Sequence, residues 1–200
     1  MRSLLAHPAL FELFSRAVGA ENIRSIYVRD FVRPREGDRI LDIGCGPADI
    51  LSHLPRVEYF GFDISPRYIE SARNRFGDRG RFFCENVSAE SLSREQAGSF
   101  DISLAMGVLH HLDDGEAVSL FETAKRALKP GGRLVTFDGC YVPGQARLAR
   151  YLLSRDRGRF VRDRDAYVSL ARRVFGEVRS TVRHDLLRIP YTHIILECAK

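Results

Sequence analysis

The stretch from Arg39 to Asp49, Arg-Ile-Leu-Asp-Ile-Gly-Cys-Gly-Pro-Ala-Asp, constrains the chain more than any other. It is a short apolar strand that runs into a glycine turn and then a helix start. Two glycines let the backbone come close to a ligand, and the first turn of a helix offers N–H groups with no intrahelical partner. A second apolar run, Phe60-Gly61-Phe62-Asp63-Ile64-Ser65, ends on an acid 17 residues after Gly46. A carboxylate at that place accepts hydrogen bonds from ribose hydroxyls. Turn and acid together predict a bound nucleoside.

The rest of the chain supplies the frame. Apolar residues recur at helical spacing over 8–32, with a break at Gly19, and predict two short amphipathic helices that include Phe11, Phe14 and Tyr27. Strands are expected at 39–43, 57–62, 82–84, 100–106 and 133–137. Helices are expected through Leu51 and Leu54, after Ser65-Pro66, and after Asp113 or Asp114, where a capping residue stands before an apolar stripe. The polar stretch 85–99 reads as a loop with at most one helical turn. Alternating strand and helix argues for a parallel α/β sheet with its ligand at the carboxyl ends of the strands. Past Cys140 the rhythm changes: 145–153 and 164–175 read as helices flanking a charged loop. Strands at 177–187 and 192–198 follow, joined by too few residues for a helical crossover, so that pair must be antiparallel.

With 200 residues, one domain is expected. It divides into an N-terminal helical cap (1–35), a core (36–140), a helical lid (141–175) and a terminal strand pair (176–200). Four dispersed cysteines form no C-x-x-C pair, which suggests neither a disulfide framework nor a metal site and fits a reducing cytoplasm. The opening residues lack the unbroken apolar run of a signal peptide, and no membrane span is expected. The net charge of +5 is unevenly placed: 12 arginines face 5 acids between Gly144 and Arg188.

The dinucleotide pattern G-x-G-x-x-G fails, because Asp49 stands where its third glycine belongs. Asp42, just before the turn, is unsuited to a pyrophosphate and suited to a cationic ligand. Four motifs then stand in order: Leu41-Asp42-Ile43-Gly44-Cys45-Gly46, Gly61-Phe62-Asp63-Ile64-Ser65, Phe100-Asp101 followed by Gly107-Val108-Leu109-His110-His111-Leu112, and Leu128-Lys129-Pro130-Gly131-Gly132. This set resembles the class I S-adenosylmethionine-dependent methyltransferases, in the small-molecule branch that includes the ubiquinone and menaquinone biosynthesis enzymes. The resemblance implies a Rossmann-like, doubly wound α/β sheet of seven strands, mostly parallel with one antiparallel strand and helices on both faces. It implies S-adenosylmethionine as cofactor and S-adenosylhomocysteine as product. Gly44, Cys45 and Gly46 would surround the methionine part with Asp42 close by, Asp63 would hold the ribose and Ile64 would lie against the adenine. Asn86-Val87 would stand at the adenine amino group, where the family often has Asp, and Met106 would border the cofactor at the end of the fourth strand.

A sulfonium already activates its methyl group, so the protein need only align the acceptor and exclude water; a base is optional. His110 and His111 are the candidate bases, His111 preferred; the competing reading is that they shape the pocket. No metal is expected, since adjacent His residues on extended chain diverge and Asp113-Asp114 suits helix capping. Tyr141, Arg159 and Arg162, in the arginine-rich segment, are the candidates for binding a small, anionic acceptor. The bland alternative there is a solvated surface neutralised by Asp156, Asp163 and Asp165. Methylation of RNA or DNA is a second reading that the basic segment favours. It lacks an Asn/Asp-Pro-Pro-Tyr motif, a Pro-Cys nucleophile and an RNA-binding module. A non-catalytic cofactor-binding partner subunit is a third. Oligomeric state is not written in these residues.

Overall fold

The computed structural model describes residues 19–88, 92, 96–155 and 158–200. The helix expected over 8–18, with Phe11 and Phe14, lies outside them, as do parts of the polar stretch after Glu85 and Asp156 of the charged loop.

The strands are β1 (Arg39–Ile43), β2 (Glu58–Phe62), β3 (Gly80–Phe83), β4 (Phe100–Met106), β5 (Leu128–Tyr141), β6 (Arg162–Asp163), β7 (Glu177–Arg183) and β8 (His193–Ala199). The helices are α1 (Ala20–Tyr27), α2 (Pro66–Phe76), α3 (Asp114–Ala127), α4 (Arg147–Ser154) and α5 (Arg164–Arg172). Seven strands form the path β3-β2-β1-β4-β5-β8-β7, and the two-residue β6 pairs with β5 off that path. Every pairing is parallel except those of β8, which runs against both β5 and β7. The expected α/β architecture with one reversed strand is therefore present. The reversal follows from the short connection between β7 and β8.

The sheet carries a core on each face. Leu41, Ile43 and Ala105 pack with Ala117, Phe121 and Ala124 of α3 and with Tyr167, Leu170 and Ala171 of α5. Ile40, Ile102 and Leu104, their alternating neighbours, pack with Ile23 and Tyr27 of α1 and Ile69 and Ala72 of α2. Period-two alternation along buried parallel strands produces this division.

Local chemistry sets the ends. Asp113 caps α3 through a reciprocal pair with Glu116, its side chain accepting from the Glu116 N–H at 2.9 Å while the Glu116 carboxylate accepts from the Asp113 N–H at 2.9 Å. Gly19 (φ 82°) begins α1, which widens into a π-helical turn at Val28–Val32. Ser65 stands at the N-cap of α2 but makes no side-chain cap; Pro66 opens the helix. The segment with Leu51 is a 3₁₀ turn, Asp49–His53, rather than an α-helix. β5 is much longer than the five residues expected. Its end beyond Phe137 is paired on one side by Ile194 and His193 and, at Cys140 and Tyr141, by β6, neither of which is visible locally in the chain.

Strand order reverses direction at β1: β2 and β3 lie to one side, β4 and β5 to the other. A crevice opens outside the carboxyl ends at such a point.

Candidate functional site

The turn after β1 sits in that crevice. Gly44 and Gly46 have φ of 71° and 55°, in the left-handed region. A Cβ on Gly44 would stand 2.6 Å from Cγ2 of Val108, so this position tolerates neither the conformation nor the bulk of another residue. The N–H groups of Gly44 and Cys45 donate to the Phe62 carbonyl at 2.8 and 2.9 Å, which ties the turn to β2. Asp63, just past β2, accepts from the Gly46 N–H through Oδ2 at 2.9 Å and from the Ser65 N–H through Oδ1 at 2.8 Å. Each oxygen keeps a lone pair for a further donor.

Asp42 lies under the turn and is 3% exposed. The Tyr59 hydroxyl donates to its Oδ2 at 2.5 Å, and its buried Oδ1 has no hydrogen-bond partner among the described residues. Burial pushes its pKa up to about 7, against the Tyr59 hydrogen bond and with the help of the Asp63 charge. Burial likewise raises the Cys45 thiol well above its ordinary value, so it is neutral.

A cleft of about 300 Å³ opens here, lined by Asp42, Gly44, Cys45 and Gly46 from the first motif and by Met106, Gly107 and Phe137 from the ends of β4 and β5. Arg24 of α1 also lines it and pairs with Asp49 at 2.8 Å; sequence reading missed this residue, because only tertiary packing brings α1 to the turn. Ile64 stands on the surface with 75% of its area exposed. Asn86 is exposed, whereas Val87 packs into the core.

The third motif ends in a 3₁₀ turn, Leu109–His111, after β4. His110 is buried, with Nδ1 2.8 Å from Oδ1 of Asp138, which also accepts the His110 backbone N–H at 3.1 Å. Asp138, on β5, is 1% exposed, and burial raises its pKa against the opposing effect of His110. A Cβ on Gly107 would lie 3.8 Å from Cε1 of His110, so the imidazole borders the strand end that lines the cleft. His111 is exposed, its ring 4.1 Å from that of His110. The buried carboxylate partner thus belongs to His110, not to the preferred His111. Asp138 escaped sequence reading because the fifth strand was expected to stop at Phe137. An acid immediately after an apolar strand was the available signal.

Arg162 requires a correction. Its Nε and Nη2 donate to Oδ1 of Asp114 at 2.9 and 2.7 Å, Nη1 to the carbonyls of Leu109 and Phe160 at 3.0 Å each, and Nη2 also to that of Leu112 at 2.8 Å. All five donors of the guanidinium are used. It braces the histidine turn and has no N–H left for an acceptor. The Phe160 N–H donates to the His110 carbonyl at 2.9 Å, and Gly158 packs so closely on the imidazole that a side chain there would collide with it. Arg159 is exposed, and Tyr141 is half-buried at the end of β5.

The glycine turn, Asp42 and Asp63 thus meet beside one cleft, on a fold that hosts many chemistries. Residues 41–134 match a family model described as a methyltransferase domain. The chain is 39% identical over 122 residues to the 27-O-demethylrifamycin SV methyltransferase of Amycolatopsis mediterranei, covering 57% of this chain and 43% of that protein. It is 34% identical over 115 residues to the ubiquinone biosynthesis O-methyltransferase of Xanthomonas axonopodis pv. citri, covering 56% and 47%. The chain thus spans less than half the length of these curated relatives. Geranyl diphosphate C-methyltransferase of Streptomyces coelicolor A3(2), solved with S-adenosyl-L-homocysteine, superposes with a TM-score of 0.65 at 18% identity over 90% of this chain and 76% of that one, a likeness of fold. Motif order, topology and similarity agree in likening residues 41–134 of this chain to a methyltransferase domain.

Proposed function

We propose that the protein is an S-adenosylmethionine-dependent methyltransferase acting on a small-molecule acceptor. The observation that carries this reading is the buried, unpartnered Oδ1 of Asp42 beside a turn with two left-handed glycines, the first of which has no room for a side chain. A carboxylate left this way is costly unless a cation or donor completes it. In S-adenosylmethionine the cationic methionine part meets that need. The residues present therefore fit the cofactor: Asp42 and the Gly44–Gly46 backbone at the methionine part, the remaining lone pairs of Asp63 at the ribose, Ile64 and Asn86 with the backbone of Val87 at the adenine, and Met106 along the side. Bound there, the cofactor supplies a methyl group already made electrophilic by its sulfonium.

The chain's own residues then orient and deprotonate the acceptor. Asp138 fixes the His110 ring by holding Nδ1, which leaves Nε2 as the basic atom; a hydroxyl acceptor transfers its proton there as its oxygen becomes the nucleophile. His111 extends the rim, and Tyr141 and Arg159 stand on the acceptor side. Orientation by the lid segment supplies proximity and keeps water out. Free cysteines at 45, 84, 140 and 198 suit a reducing, cytoplasmic setting, and among the described residues no helix is long and apolar enough to cross a membrane.

The test is calorimetric titration of the purified chain with S-adenosylmethionine and S-adenosylhomocysteine, followed by a screen of cell extract with methyl-labelled cofactor. Micromolar binding and a labelled small molecule are expected. Absence of binding would overturn the reading, and label appearing in nucleic acid would replace the acceptor class.

A further inference from the structure

A second cleft, of about 490 Å³, is lined by Tyr141 at the end of β5 and by Arg147, Arg150, Tyr151 and Ser154. The four α4 residues stand at i, i+3, i+4 and i+7, on one side of the helix, while Ala149 and Leu153 on the other are buried. No acid lines the cleft. Among the described residues, Arg24, Arg75, Arg162 and Arg164 each pair with a carboxylate, whereas no carboxylate lies within ion-pairing distance of Arg147 or Arg150. The Arg150 guanidinium lies 5.2 Å from the Tyr141 ring centre, and that of Arg155 lies 5.3 Å from the Tyr151 ring. A guanidinium laid on an aromatic face is held in place while its N–H edges remain available to a forked oxygen acceptor. Tyr141, at the carboxyl end of β5, puts the cleft on the same edge of the sheet as the glycine turn after β1.

From this we infer that the Tyr141–Arg147–Arg150–Tyr151–Ser154 cleft anchors the methyl acceptor by an anionic group, a phosphate or a carboxylate. The inference rests on the methyltransferase reading and deepens it: the acceptor becomes a small molecule with one end charged and the other end methylated. It also moves the anion contact away from Arg162, whose donors are spent, to two arginines whose donors are not.

The experiment titrates the whole protein, with and without S-adenosylhomocysteine, with phenyl phosphate, benzoate and phenol, following the backbone amides of Tyr151 and Ser154 by NMR. One of the anions should bind, with phenol weaker by roughly tenfold or more, the loss that follows from removing a charge-assisted hydrogen bond. Stronger binding of phenyl phosphate identifies a phosphate ester, and stronger binding of benzoate a carboxylate. The double variant Arg147→Gln/Arg150→Gln should weaken the preferred anion by a similar factor while its affinity for S-adenosylhomocysteine stays within about twofold of the parent. The charge control Arg172→Gln should bind both as the parent does. Equal binding of phenol, an unaffected double variant or no anion binding would each overturn the subsite. Tighter binding of a short single-stranded oligonucleotide than of phenyl phosphate at physiological salt would overturn it in favour of nucleic acid. Failure of S-adenosylhomocysteine to bind the parent would instead remove the methyltransferase reading, independently of the anion result.

Discussion

Replacing Asp42 by asparagine separates what this carboxylate costs the fold from what it contributes to binding. Its pKa stands at about 7 in the folded protein against an ordinary value of 3.8, chiefly through burial. An acid raised by folding destabilises the native state as pH climbs through the interval between the two values. Below pH 4 the group is protonated folded or unfolded and the penalty is absent; above pH 7 it is complete, at most about 4 kcal/mol. Asparagine removes the charge and still accepts from Tyr59, but its amide N–H groups inherit the unpartnered position, which offsets part of the gain. A net stabilisation of about 2 kcal/mol at pH 8 is expected, a rise in Tm of roughly 4–8 °C for a chain this size. Toward pH 4 the difference should change sign, because the parent loses its charge penalty while the variant keeps its unpartnered amide, leaving the variant about 2 kcal/mol the less stable. Binding should move oppositely. Parent affinity for S-adenosylmethionine should fall by about tenfold per unit below pH 7, because Asp42 must first lose its proton, while the variant should bind weakly with a flat profile. Scanning calorimetry across that pH range and titration calorimetry at its two ends measure both. If the variant is no more stable at pH 8, or binds S-adenosylmethionine with unchanged affinity and pH profile, the assignment of Asp42 to a cationic ligand is wrong.

Asp63→Ala should weaken S-adenosylhomocysteine binding by roughly 100-fold, since it removes charged hydrogen bonds and the brace on Gly46; normal affinity by calorimetry would refute the ribose role. Gly158→Ala should lower stability by about 1–3 kcal/mol, because a methyl group has no room against His110; an unchanged Tm would show that the loop does not pack there. Arg162→Ala should cost about 1–3 kcal/mol by leaving the carbonyls of Leu109, Leu112 and Phe160 without their donor, while leaving cofactor affinity near the parent value, as a melt and a titration would show. With an acceptor in hand, His110→Gln should lower kcat by roughly 100-fold or more and flatten its pH profile, whereas His111→Gln should have the smaller effect; the reverse order would restore His111 as the base.

The parts of this protein legible in its sequence are those governed by neighbours along the chain. Gly44 and Gly46 announce a turn because no other residue adopts their backbone angles so readily, and Asp63 follows at the spacing that one strand, one short helical turn and a second strand require. The boundaries of β4 and the reversal of β8 were equally readable, since apolar alternation and connection length are local quantities. Other features depend on partners distant in the chain. Asp138 becomes part of the site only because β5 runs past Phe137, held there by β8 and β6, and so meets a histidine 28 residues earlier. Arg24 reaches Asp49 only once α1 has packed on the sheet. Arg162 and Arg150 look alike as letters in a basic segment, and packing alone divides them, the first surrounded by carbonyls and a carboxylate and the second left facing an open cleft. Chain-local sterics and periodicity thus determine the donor turn, whereas the partners of each charged group were decided by the tertiary structure, because electrostatic and hydrogen-bond energies depend on distance in space rather than along the sequence.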